Sequence, residues 1–290
     1  ITLEQQVKVM KNLALKKRRS TPLLRSLSFN ISGKDEKLTL KQCSDVLFAM
    51  ASLNFTDAAL ISKICDDIQV NLKGNTDIKK STIIGSMLTS LSLLKHRDTA
   101  VLDSLTEWIV ANQAICRTQD VQSLCLTLAS LNYIPMELEE IIKTKIAPSL
   151  SLMDFKNINE YLSYVWSLLA MNINVEEAFD HVLQDSFIES LKVYYNNDLP
   201  ASAKMKLLNI NGGVKLFFPT YKGAMLSREK HKEIFDVPLM YNSEKQLLVK
   251  AMLDALASLI PESNLRLNFD SNMGFSIGNL SICSPLLNKN

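Results

Sequence analysis

The residues of this 290-residue chain with chemistry to offer are three histidines, five cysteines and a basic amino-terminal segment. His96-Arg97-Asp98 reads like the start of a kinase catalytic loop, in which the aspartate takes a proton from the attacking hydroxyl and an asparagine five residues later holds magnesium. Asp103 stands at that later position, and the sequence holds neither a DFG motif nor a glycine-rich phosphate loop. Phosphoryl transfer is therefore not expected. His96, His181 and His231 have no sequence neighbours that suggest a triad or a metal site. Cys43, Cys65, Cys116, Cys125 and Cys283 are odd in number, form no CxxC pair and have no histidine at ligand spacing. That pattern argues against a disulfide framework or a zinc site and for a reducing compartment. Gly212-Gly213 lacks the strand-loop-helix context of a phosphate cradle and reads as a bend. The expectation is a non-enzyme with no metal and no cofactor.

Charge is a more informative signal. Residues 1–41 hold ten Lys or Arg against Glu4, Asp35 and Glu36, a balance of +7 in a chain whose net charge is +2. The remainder therefore carries −5, and the basic end is a candidate contact for a polyanion. With 47% hydrophobic and 21% charged residues the chain can bury a large core. No run of about 18 apolar residues is present to span a membrane.

The elements that must position these residues repeat. MASLNF from Met50, LTSLSL from Leu88, LASLNY from Leu128 and LLAMNI from Leu168 align, with anchors Leu53, Leu91, Leu131 and Met171 spaced 38, 40 and 40. Laying LALKKRRSTPLLRSL over LSLLKHRDTAVLDSL adds a fifth copy and sets Leu13 forty residues before Leu53. Each copy reads as two helices. Val121, Leu124, Leu128 and Leu131 share one face, as do Tyr161, Tyr164, Leu168 and Met171. Second helices are expected near 21–29, 57–70, 98–111, 136–148 and 175–191, with Asp57 and Asp98 as N-caps and Pro135 opening its helix. A lone helical hairpin leaves its apolar face wet, so the copies must stack as an α-solenoid. On the polar side, Lys41, Gln42 and Asp45, then Lys79 and Lys80, then Gln119 and Gln122, then Asn159 are expected to face outward. Lys, Gln and Asn there could meet base edges and phosphates.

The forty-residue period stops after Leu191, dividing the chain into a helical-repeat array over 1–191 and a small mixed α/β subdomain over 192–290. In the second part a helix from Ala201 breaks at Gly212-Gly213, and its apolar continuation ends at Pro219. A further helix spans about Ser243 to Leu259 with Leu247, Leu248, Met252, Leu256 and Leu259 on its buried side. Asn264 to Ile282 alternates around Asp270–Gly274 as a β-hairpin.

RRSTPLLRSLSF (Arg18–Phe29), LCLTLASLNYIPMELEE (Leu124–Glu140), VWSLLAMNI (Val165–Ile173), KLLNINGGVKLFFPTYKG (Lys206–Gly223) and MGFSIGNL (Met273–Leu280) follow in order along nearly the whole chain. Through these motifs it resembles the FAST kinase domain-containing proteins. The chain departs from the family at Phe217 and Thr220, where acidic residues are usual, and at Met273 and Gly278, where Tyr and Asp are usual. The resemblance implies a mitochondrial matrix protein that binds single-stranded mitochondrial RNA and regulates transcript stability or processing. It also implies a terminal RAP domain beginning beyond Asn290, and other mitochondrial RNA-processing proteins as partners. The candidate RNA contacts are Lys16, Lys17, Arg18, Arg19, Lys95 and Arg97 along one edge, Lys41, Lys79 and Lys80 along a groove, and Gln119 and Gln122. A protein-interaction scaffold is the alternative, since helical solenoids serve both purposes.

Overall fold

The computed structural model describes residues 1–74, 81–236, 243–259, 265–266, 269–270, 273, 276–277 and 281–282. The chain divides into two compact units, Ile1–Glu160 with Ala170–Ile173, and Tyr161–Leu169 with Asn174–Asn290. The boundary expected at residue 191 falls inside the second of these.

Helical hairpins build the first unit. α1 (Leu3–Leu15) leads to α2 (Thr21–Ser32), α3 (Leu40–Ser52) to α4 (Ala58–Lys73), α5 (Thr82–Leu93) to α6 (Thr99–Ala111), and α7 (Thr118–Leu131) to the short α8 (Leu138–Ile141) with a π turn at Ile142–Ile146. First helices pack in the order α1, α3, α5, α7, and α2, α4, α6 pack on one another as a second layer. This is the arrangement by which stacked hairpins bury the face each would otherwise expose. Leu47, Met50, Ile64, Leu88, Leu102, Leu124 and Leu128 are fully buried between the layers, each worth about 1.5–3 kcal/mol.

Local chemistry fixes the helix ends. Thr2 and Thr39 each accept from the backbone N–H three residues on, and Gln5 and Gln42 reach back to complete capping boxes. Asp57 and Asp98 accept from the N–H groups of Leu60 and Val101, as expected of N-caps. The carboxyl ends are more regular still. The N–H groups of Arg18, Phe55, His96 and Tyr133 reach back five residues to the carbonyls of Leu13, Met50, Leu91 and Leu128. The preceding residues, Lys17, Asn54, Lys95 and Asn132, have φ between 46° and 55°, and Asn172 follows suit at 58°. Each first helix of the first four copies thus closes in a Schellman motif around a left-handed residue.

These turns give the register of the repeat and correct part of the expected alignment. The left-handed residues lie 37, 41, 37 and 40 apart. Leu53, Leu131 and Met171 each directly precede one, whereas Leu91 precedes Lys95 by four residues and Leu13 precedes Lys17 by four. Leu13 is therefore equivalent to Met50, one turn before Leu53. All four anchors are buried nonetheless. The slip arises because Leu88, Leu91 and Leu94 recur every three residues, so neighbouring turns of α5 match the pattern equally well.

α9 (Ile158–Ala170) has Tyr161–Leu169 in the second unit and its two ends in the first. Within the second unit, α10 (Glu176–Leu183) packs against α11 (Asp185–Tyr194) and α12 (Ala201–Phe217), and α13 (Lys232–Phe235) packs against α12. The break expected at Gly212-Gly213 does not occur, for α12 passes through both glycines and ends two residues before Pro219. Gly213 serves packing instead, because a Cβ there would lie 2.6 Å from a methyl of Leu169. Side chains tie down the segment after α12. Asp180 accepts from the Ala224 N–H at 2.7 Å, Asn211 accepts from the Leu226 N–H at 2.7 Å, and Asp185 pairs with Lys230 and with the buried His231.

Two expectations for the carboxyl-terminal third are corrected. α14 (Ser243–Ala257) forms, but Leu247, Leu248, Met252 and Leu259 are exposed. An apolar stripe records the need for a cover and not its presence. A mixed α/β layer is not supported either. Among the described residues, strand structure is confined to β1 (Leu265–Arg266) against β4 (Ser281–Ile282) and β2 (Phe269–Asp270) against β3 (Ser276–Ile277), both antiparallel. Pairs of two residues do not by themselves make a sheet domain.

Candidate nucleic-acid interface

Because every hairpin of the first unit turns in the same sense, the loops between paired helices gather along one edge. Residues 16–20, 53–57, 94–98 and 132–137 form it. Contacts run from the first of these turns to the second and from the third to the fourth. Arg19 donates from Nε to the Leu53 carbonyl at 2.9 Å and from Nη2 to the Asn54 carbonyl at 3.4 Å. The equivalent Arg97, also two residues past a left-handed lysine, lies over the Tyr133 ring at 5.5 Å. The Tyr133 hydroxyl donates to Asp103 at 2.7 Å, a bond that, with some burial, raises its pKa above the usual value.

This geometry sorts the candidate residues. Lys16, Lys17, Arg18 and Lys95 are exposed, and none has an ion-pair partner among the described residues. Arg19 and Arg97 are also exposed at that edge, yet they are engaged as staples between repeats. Lys41 shares Asp45 with Lys11, at 3.3 and 2.8 Å, so much of its charge is already answered. Gln122 is corrected outright. It is buried, and its Nε2 donates to the Glu160 carbonyl at 2.9 Å. Its face of α7 meets Glu160 in the first turn of the following helix, a contact between residues 38 apart that helical periodicity does not reveal. Lys79 and Lys80 lie outside the described residues.

A separate groove of about 340 Å³ crosses the exposed faces of α3, α5 and α7. Phe48, Ser52, Ser86, Thr89, Gln119 and Ser123 line it together with Arg117, so it offers hydroxyls, one amide and one guanidinium. Its floor rests on Asp120, a residue that sequence reading missed. Asp120 accepts from Ser81 Oγ at 2.6 Å, from the Arg117 N–H and Nε at 3.1 Å each, and from Arg117 Nη2 at 2.7 Å. Burial pushes its carboxyl up, but these donors outweigh burial and hold its pKa below the usual carboxylate value. The capping spacing of Arg117 and Asp120 was the available signal, and it points to structure.

The kinase-like tripeptide is distributed among structural tasks. Asp98 caps α6, Arg97 covers Tyr133, and the His96 N–H closes the Schellman turn. In the second unit, Lys206 is half-buried and donates to Ser163 Oγ at 2.6 Å, and burial lowers its pKa. No helix among the described residues is long and apolar enough to cross a membrane.

Residues 204–282 match the family model described as FAST kinase-like protein, subdomain 2. The chain is similar to FAST kinase domain-containing protein 4 of Mus musculus, with 23% identity over 257 residues, of Rattus norvegicus, with 22% over 257, and of Homo sapiens, with 25% over 223. Those alignments cover 87%, 87% and 76% of this chain, but 39%, 39% and 34% of the relatives. The chain thus spans about two fifths or less of the length of the curated relatives it matches.

Proposed function

We propose, from the likeness to FAST kinase domain-containing protein 4 as premise, that this chain belongs to a mitochondrial matrix protein that binds single-stranded RNA and regulates the stability or processing of mitochondrial transcripts. In this reading residues 1–191 are the helical-repeat array and residues 192–290 carry the second FAST-like subdomain. The turn edge of the first unit is the RNA contact.

The observation that carries the reading is the recurrence of exposed cations on equivalent turns, Lys16, Lys17 and Arg18 on one and Lys95 on another. Lys17 and Lys95 hold the left-handed conformation that asparagine takes in the other three copies. A lysine there forgoes up to about 1 kcal/mol relative to a residue suited to that backbone. Charge retained at such a cost is consistent with a binding role. The two turns are separated by two helix spacings, about 20 Å, a reach over which a flexible single strand can set several phosphates. Hydroxyls and Gln119 in the groove suit hydrogen bonding to base edges and ribose.

The chain is not an enzyme in this account. Purified protein should show no metal-dependent ATP turnover that Asp98→Asn abolishes. A protein-interaction scaffold is the second reading, favoured by the exposed apolar side chains of α14. Crosslinking in mitochondria, followed by sequencing of the bound RNA and mapping of the crosslinked peptides, separates the two. Crosslinks at residues 16–18 are expected. A protein partner that survives nuclease treatment, with no RNA crosslinked, would favour the scaffold.

A further inference from the structure

We propose that Cys65, His96 and Asp98 form a binding site for one zinc ion, joining α4 to the turn between α5 and α6. The cysteine and histidine are 31 residues apart in sequence, so no ligand spacing announces the site. Stacking of the second hairpin on the third brings the thiol, the imidazole and the carboxylate together, with their ligand atoms all within 4.8 Å of one another. A tetrahedral zinc ion, with bonds of about 2.0–2.3 Å, holds its ligands about 3.5 Å apart. The closure required is about an ångström, within reach of small rotations of the half-exposed His96 and Asp98 side chains.

The donor set selects the metal. One sulfur, one imidazole nitrogen and one carboxylate oxygen suit zinc, whereas calcium and magnesium demand oxygen throughout. Three protein ligands leave a fourth position, and His96 and Asp98 line an open cavity of about 390 Å³ that can supply water to it. The ligands stand on a held frame. The His96 N–H bonds the Leu91 carbonyl at 3.0 Å, and Lys95 before it is locked in the left-handed conformation. One oxygen of Asp98 caps α6 through the Val101 N–H at 3.1 Å, which leaves the carboxylate its second oxygen.

Charge at the site is also suited to a cation. The Asp98 and Asp66 carboxylates both act on the Cys65 sulfur. The same carboxylates attract a divalent ion. On binding, the sulfur gives its proton to solvent and bonds the metal as thiolate, with no change of oxidation state, and one proton appears per ion bound.

Cobalt(II) is the probe for the test, made on the full chain after chelator treatment. The parent should bind one equivalent, show a thiolate-to-cobalt charge-transfer band in the near ultraviolet, and lose that band on addition of one equivalent of zinc. Cys65→Ser should abolish the band. Asp98→Asn, which preserves the helix cap, should weaken cobalt binding at least tenfold, as should His96→Gln. A parent that takes up neither cobalt nor zinc, or binds cobalt without the band, overturns the site whatever the variants do. Binding that persists unchanged in Cys65→Ser overturns it equally.

Discussion

Asp120 receives hydrogen bonds from Ser81, from the Arg117 backbone and from the Arg117 guanidinium, while Gly85 of α5 lies so close that a Cβ there would be 2.6 Å from the Asp120 carboxylate. One buried carboxylate therefore joins α5 to α7. Asp120→Ala should destabilise the first unit by about 2–3 kcal/mol, a figure held down because half-exposed Arg117 is screened by water. Gly85→Ala should also destabilise, by about 1–3 kcal/mol, although alanine is the better helix former. Chemical denaturation checks both. The pH dependence has a definite sign. Because the folded pKa of Asp120 lies below 3.8, its contribution is fully present above that pH and is lost as pH falls through the lower folded value. Asp120→Asn should remove that part of the acid sensitivity, and a variant with the parent's acid profile would contradict this. Little at this scale was legible beforehand. Arg19 and Gln122 read as free polar groups because their partners, the carbonyls of Leu53 and Glu160, are backbone groups with no signature in sequence.

At the scale of the element, most helices and the caps at Asp57 and Asp98 were legible because their causes are local, but Pro135 lies three residues before α8 and the helix expected over 175–191 divides into α10 and α11 at Gln184. Asp57 and Asp98 cap as expected, and the apolar stripes of α7 and α9 are buried as their 3.6-residue period requires. Register was less legible. Leucines three apart leave α5 compatible with two alignments, and the left-handed residue after each first helix resolves them. Reading the turns as N-K-N positions would have needed asparagine and lysine to be taken as equivalents, which propensity discourages. From this follows a prediction on stability. Lys95→Asn should leave the fold intact and stabilise it by up to about 1 kcal/mol, since asparagine tolerates φ near 55° better than lysine. A loss of stability in thermal or urea unfolding would show that the lysine side chain holds the turn.

For the molecule as a whole, the repeat is the unit of stability within the first compact unit. Each hairpin leans on its neighbours, so damage to one should spread. Leu131→Asp places a charge in the packed layer and should cost several kcal/mol. Hydrogen exchange should accelerate in α5 and α7 together, and a change confined to α7 would argue against coupled repeats. The chain's global charge asymmetry was legible from sequence alone, but its use was not. Among the described candidates the structure separates the staples Arg19 and Arg97 and the ion-paired Lys41 from the exposed Lys16, Lys17, Arg18 and Lys95, and this exposed set carries the functional account. Its most direct test is the salt dependence of single-stranded RNA binding by the parent and by the triple variant Lys16→Ala, Lys17→Ala, Arg18→Ala, measured by fluorescence anisotropy from low salt upward. Each lost phosphate contact lowers the logarithmic slope by about 0.7. The account predicts a fold unchanged by circular dichroism, weaker binding and a slope reduced by up to about two units. Equal affinity with an unchanged slope would contradict it.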